Sequence, residues 1–198
     1  MNDIQSHIHT LDAFMQTEVF ASLDVTTRIA LQHKKGELCG LYFMQMASNL
    51  NRNKFRGCFA PHKAVMLMTI MELVREGYLT DNLVCLDKTL KERFRVVWER
   101  VVPMGSPFKC DYRNPFIYMD SEPFWQLTDN RNKAVLSWEA FCAFSHEESR
   151  IAIAELLQRS IKEDTISEQY RQTHQDMNWM VAEDFMSFVP FLGLLMAI

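Results

Sequence analysis

The sequence predicts a mainly α fold, a single helical domain with a small β-hairpin. Three observations predict it. Apolar residues recur at helical spacing along most of the chain, helix caps fall between those stretches, and extended patterning is confined to short pieces. The 198 residues suffice for one domain with a sizeable core.

Ile4, Ile8, Leu11 and Met15 share one helical face and predict a first amphipathic helix. Asp24 reads as the N-cap of a second helix, which Gly36 ends. "ELCGLYFMQMASNL" (residues 37–50) predicts a third, more apolar one, and residues 51–60 a polar, basic loop. Pro61 suits a first helical turn, where its missing N–H has no partner to lose. From Val65 to Val74 that helix is apolar on every side, and Gly77 stops it. It is too short to cross a bilayer, so it belongs in a protein core.

"NLVCLD" is a short extended piece, after which Asp87 caps a helix. Leu90, Phe94, Val97, Trp98 and Val101 form its apolar stripe, and Pro103 stops it. Residues 103–115 read as a loop. "FIYM" and "FWQL", separated by "DSEP", predict the hairpin. Ser145 with Glu148, and Thr165 with Glu168, fit the capping box and predict two further helices. "FMSFVPFLGLLMAI" (185–198) is short and interrupted by proline, and is expected to pack on the core or on a second copy of the chain.

The composition, 48% hydrophobic and 23% charged, is that of an ordinary globular protein. The opening stretch carries Asp3 and Asp12 and no apolar run, so no secretory signal is expected and the cytoplasm is. Cys39, Cys58, Cys85, Cys110 and Cys142 are odd in number and contain no C-x-x-C, which predicts reduced thiols. The net charge is −4, yet residues 25–71 hold seven of the 21 basic residues and one of the 25 acidic ones. Such a segment attracts a polyanion, or else it is a solvated stretch whose compensating acids pack nearby.

Catalytic signatures are absent: there is no G-x-S-x-G, P-loop or G-x-G-x-x-G. His7 and His9 fall on different helical faces and do not make a joint metal site. Glu147 and Glu148 beside His146 suit a helix first turn, where acids complement the macrodipole. His174 near Asp176 is no stronger, and neither Cys58 nor Cys142 has a local histidine partner. No catalytic residue, metal or cofactor is therefore expected. The stronger group surrounds the start of the core helix: Arg52, Asn53, Lys54 and Arg56 on the loop, His62 and Lys63 on the helix. Helix N-termini with nearby cations bind phosphate, while Asn and His can reach base edges. For His62, a capping or packing role is equally open.

"NLNRNKFRGCFAPHKAVMLMTIMELVREGYLTDN", then "LVCLD", the helix carrying Trp98, "NPFIYM…FWQL" and "AFSHEESRIAIAELL" follow one another in a recognisable order. That order resembles the sulfur-recognition domain found ahead of the nuclease module in McrA-type HNH restriction endonucleases. The likeness covers about residues 43–162, with helices 3–36 and an extension 165–198 expected to pack on it. It implies binding of double-stranded, phosphorothioate-modified DNA in bacterial restriction and defence. By position, it implies DNA contacts from Arg52, Arg56, His62 and Lys63. It also implies an apolar cup for sulfur from Asn114, Pro115, Phe116, Ile117 and Tyr118. An apolar cup suits sulfur because that atom is larger and less strongly hydrated than oxygen.

Ala64 stands where the family usually has a second proline, Asn114 where it tends to have an aromatic ring, and Tyr118 where it has a small residue. The tyrosine has the bulk to fill the cup. No HNH arrangement follows residue 162, so the resemblance implies a stand-alone reader, acting with a separate nuclease or self-associating through the apolar C-terminus. The other reading is a protein–protein module that kept the fold and lost DNA binding. Neither needs a membrane.

Overall fold

The computed structural model describes residues 3–55, 57–128 and 130–164. In chain order they form α1 (Asp3–Met15), α2 (Glu18–Ser22), α3 (Val25–Ala47), β1 (Lys54–Phe55), β2 (Cys58–Phe59) and α4 (His62–Arg75). Then come β3 (Leu83–Cys85), α5 (Lys88–Val101), α6 (Arg113–Tyr118) with a 3₁₀ turn over Met119–Ser121, β4 (Trp125–Leu127), β5 (Lys133–Leu136), α7 (Trp138–Ser145) and α8 (Glu147–Asp164). The fold is mainly α, as expected.

α4 is the axis of the core. Ala64, Val65, Met66, Leu67 and Ile70 have no exposed surface, and α5, α6, α7 and α8 all pack on this helix. Its one mid-helix hydroxyl, Thr69, is buried and donates to the Val65 carbonyl at 2.7 Å, so no polar group is stranded. Pro61 sits at the N-cap and its carbonyl accepts from the Val65 N–H. At the other end Gly77, at φ +71°, turns the chain out of the helix. The Gly77 N–H donates to Val74 and the Tyr78 N–H to Leu73, a Schellman stop. The stripe predicted on α5 is buried in full.

Residues 25–47 form one helix where two were expected. Gly36 does not end it. A Cβ built at Gly36 would lie 2.5 Å from the His146 ring, and one at Gly40 would lie 2.2 Å from Ser149 Oγ. The two glycines are the places where α3 is thin enough for the α7–α8 junction to press against it. Phe43, further along α3, meets Phe124 and Phe144 edge-on, with centroids 4.9 and 4.8 Å away.

The predicted hairpin is displaced. "FIYM" is helical, in α6 and the 3₁₀ turn, and β4 pairs instead with β5, Trp125 opposite Leu136. β3, the expected extended piece, adds to the far side of β5, giving an antiparallel order β3-β5-β4. Ala134 and Leu136 of β5 face the core and Lys133 and Val135 face outward, the period-two alternation of a half-covered sheet. The basic loop contains a second sheet, the two-residue ribbon β1–β2. α2, capped by Thr17, and α7, capped by Ser137, are additional helices.

α8 is capped by His146 rather than Ser145. The His146 carbonyl accepts from the Arg150 N–H, while the Ser145 hydroxyl turns back to Phe141. The helix proposed from Thr165 and the apolar segment 185–198 lie outside the described residues. One hydrophobic cluster runs from Ile8 on α1 to Ile161 on α8. Among the described residues, no helix is long and apolar enough to cross a membrane.

Candidate functional site

An open cleft of about 540 Å³ lies where the residues flanking the β1–β2 ribbon, the first turn of α4, the 103–112 loop and α6 meet. Of the residues expected to contact DNA, Arg52, Asn53, His62 and Lys63 border this cleft; of those expected to form the cup, Asn114, Pro115 and Tyr118 do. Asn51, Ala60, Phe108 and Ser121 complete the lining. Residues far apart in sequence are brought together because α6 packs against α4 beside its N-terminus.

The cations are held in different ways. Phe59 carries Arg52 Cζ and Lys54 Nζ each 5.2 Å from its ring centroid, fixing both on the ribbon by cation–π contact. Lys54 is exposed and Arg52 half-buried. Lys63 does not project from the helix tip as expected. It is buried, and its Nζ reaches Glu122 Oε1 at 2.5 Å and Ser121 Oγ at 3.0 Å. Glu122 Oε1 also accepts from the Asn51 N–H. Lys63, which borders the cleft, is thus neutralised by an internal ion pair. Arg56 lies outside the described residues.

His62 lines the cleft, but its hydrogen bond is turned inward. Nε2 lies 2.8 Å from the Lys109 carbonyl, which can only accept, so Nε2 carries the proton and donates. The ring rests on Trp98 and meets Phe108 edge-on. Burial lowers the His62 pKa against the opposing effects of Lys109 and Asp111. A neutral, tethered imidazole gives the cleft shape rather than charge.

In the proposed cup, Phe116 does not line the cleft. It is fully buried, meets Trp125 edge-on, and its carbonyl accepts from Trp125 Nε1. Pro115 and Asn114 do border the cleft, and Asn114 Nδ2 donates to Asp111 Oδ2 at 2.6 Å. Tyr118 is 62% exposed and stands at the rim, leaving the cleft open. Sequence reasoning missed Glu122. The available signal was an acid in "DSEP", which was read as a turn because a strand was expected on either side of it.

The side chains able to hold a metal gather elsewhere, where α3 meets the start of α8. His33, His146 and Glu148 bring one ligand atom each within 4.8 Å of one another. The expectation that no metal-ligand set exists rested on local spacing, and these residues are joined only by the fold. All five cysteines are free thiols. The chain matches no family model and no curated protein.

Proposed function

We propose that the protein is a non-catalytic module that binds double-stranded DNA in this cleft, favouring phosphorothioate-type modified DNA, in a restriction or defence system. The observation that carries the reading is the shared cleft: Arg52 and Asn53 line it together with Asn114, Pro115 and Tyr118, and exposed Lys54 follows directly on the adjoining ribbon. Arg52 and Lys54 are suited to phosphate oxygens, and the amides of Asn53 and Asn114 to base edges. Pro115 and Tyr118 offer the less polar surface that a sulfur substituent prefers to water.

Anisotropy titrations of plain and phosphorothioate-containing duplexes, repeated over a salt series, test this. Binding is expected at low salt, tighter for the modified duplex. Lys54→Ala is expected to weaken both and to reduce the salt slope by about one. No binding of either duplex at low salt overturns the reading.

A second reading, a protein-docking module, is favoured by the neutralisation of Lys63 by Glu122 and by exposed Phe55 and Tyr118 near the cleft. It predicts no DNA binding under the same conditions.

A further inference from the structure

His33 lies on α3, one turn before Gly36, and His146 lies on the bare backbone that Gly36 leaves. The two imidazoles meet edge to face, with centroids 4.5 Å apart and planes at 82°. Glu148 sits in the first turn of α8 and spans both rings. One carboxylate oxygen is 3.6 Å from His33 Nε2 and the other 3.2 Å from His146 Nε2.

The hydrogen bonds around His146 fix which of its nitrogens carries the proton. Ser149 Oγ lies 3.0 Å from the Gly36 carbonyl, which can only accept, so the hydroxyl proton goes there. His146 Nδ1, 2.9 Å from the same Oγ, must then be the donor. The Ser149 backbone N–H, at 3.4 Å from Nδ1, is the longer and weaker contact. The lone pair of His146 therefore sits on Nε2, which is buried and has no hydrogen-bond partner. His33 stands between two carboxylates, with Nδ1 3.5 Å from Glu37 Oε1 and Nε2 3.6 Å from Glu148 Oε1. Each ring thus turns its outer nitrogen to an oxygen and its Nε2 toward the shared carboxylate. Metal-binding histidines are held in this way.

We propose that His33 Nε2, His146 Nε2 and the Glu148 carboxylate form a binding site for one zinc-class divalent cation. Tetrahedral ligands at about 2.0–2.1 Å from zinc lie about 3.3 Å from one another; here one ligand atom from each of the three residues already lies within 4.8 Å of the others, so a small inward movement of the exposed His33 and Glu148 side chains closes the set. The donor set, two imidazoles and one carboxylate, suits zinc or cobalt rather than the all-oxygen shells of calcium and magnesium. Glu148 and His33 are 68% and 48% exposed, so the remaining coordination position faces water. Bound there, the ion ties α3 to the α7–α8 junction. The site shares no lining residue with the cleft and does not depend on its function.

The test uses the intact chain, stripped with chelator and titrated with Zn²⁺ by calorimetry near neutral pH. One ion per chain is expected, with a rise in Tm. His33→Gln and Glu148→Gln, both at exposed positions, are expected to weaken Zn²⁺ binding at least about 100-fold while leaving the metal-free Tm nearly unchanged. Glu37→Gln, which removes only an outer partner, is expected to weaken it about tenfold. Co²⁺ in the same site should give d–d bands without thiolate charge transfer. Failure to take up Zn²⁺, uptake unaltered in His33→Gln and Glu148→Gln, or a thiolate signature from the cysteines overturns the proposal.

Discussion

Lys63 Nζ and Glu122 Oε1 lie 2.5 Å apart, and the two residues are 8% and 7% exposed. The pair joins the first turn of the core helix to the end of the 3₁₀ turn that follows α6. Removing one partner strands the other charge away from water, a loss of about 3–5 kcal/mol, whereas replacing both with apolar groups costs far less. Glu122→Leu and Lys63→Met are therefore each expected to lower stability severely in urea unfolding. The double variant should recover most of the loss. Equal, additive losses would mean that the charges act independently.

His62 supplies a pH dependence. Burial lowers its pKa in the folded protein below the ordinary value near 6.5. The unfolded chain therefore binds the proton more readily. The contribution of His62 to stability is complete above about pH 6.5 and is lost as pH falls through the lower, folded-state value. His62→Gln should flatten this part of the profile, measured as the difference from the parent protein in unfolding midpoints between about pH 7 and 5.

Gly36→Ala sets two effects against each other. Alanine gains about 1 kcal/mol of helix propensity. Its Cβ, however, would meet the His146 ring at 2.5 Å and His146 Cβ at 2.8 Å, and overpacking of this kind costs about 1–3 kcal/mol. The expected result is net destabilisation by about 1 kcal/mol in chemical denaturation, together with weaker Zn²⁺ binding. A more stable variant would show that the α7–α8 junction yields easily.

Phe43→Ala removes the ring shared by Phe124 and Phe144 from a site with no exposed surface. A loss of about 3–5 kcal/mol is expected from thermal or denaturant unfolding. Phe43→Leu should cost less because it leaves a smaller void.

Where the sequence carried a local reason, the fold was legible. Pro61 and Gly77 bracket α4, and Asp87 with the stripe from Leu90 to Val101 defines α5, because caps and periodicity act within a few residues. What stayed hidden depended on distant partners. Gly36 reads as a helix end until His146 is seen lying on it, and "FIYM" reads as a strand until α4 is seen packed against α6. The cleft was half legible: Arg52, Asn53, His62, Lys63, Asn114, Pro115 and Tyr118 border it, but the Lys63 charge and the whole of Phe116 are spent on internal structure. The acid that neutralises Lys63 lies 59 residues away, beyond the reach of any local pattern.

Because α4 is buried from Lys63 to Met71, it reaches the molecular surface only at its two ends, through His62 at the start and Glu72, Val74 and Arg75 at the close, and most of its side chains are committed to packing. Asn53, Asn114 and Tyr118 bear the opposite share: they border the cleft and are exposed. Substitutions at Asn53, Asn114 or Tyr118 therefore reshape the cleft without drawing on the stability reserve of the interior.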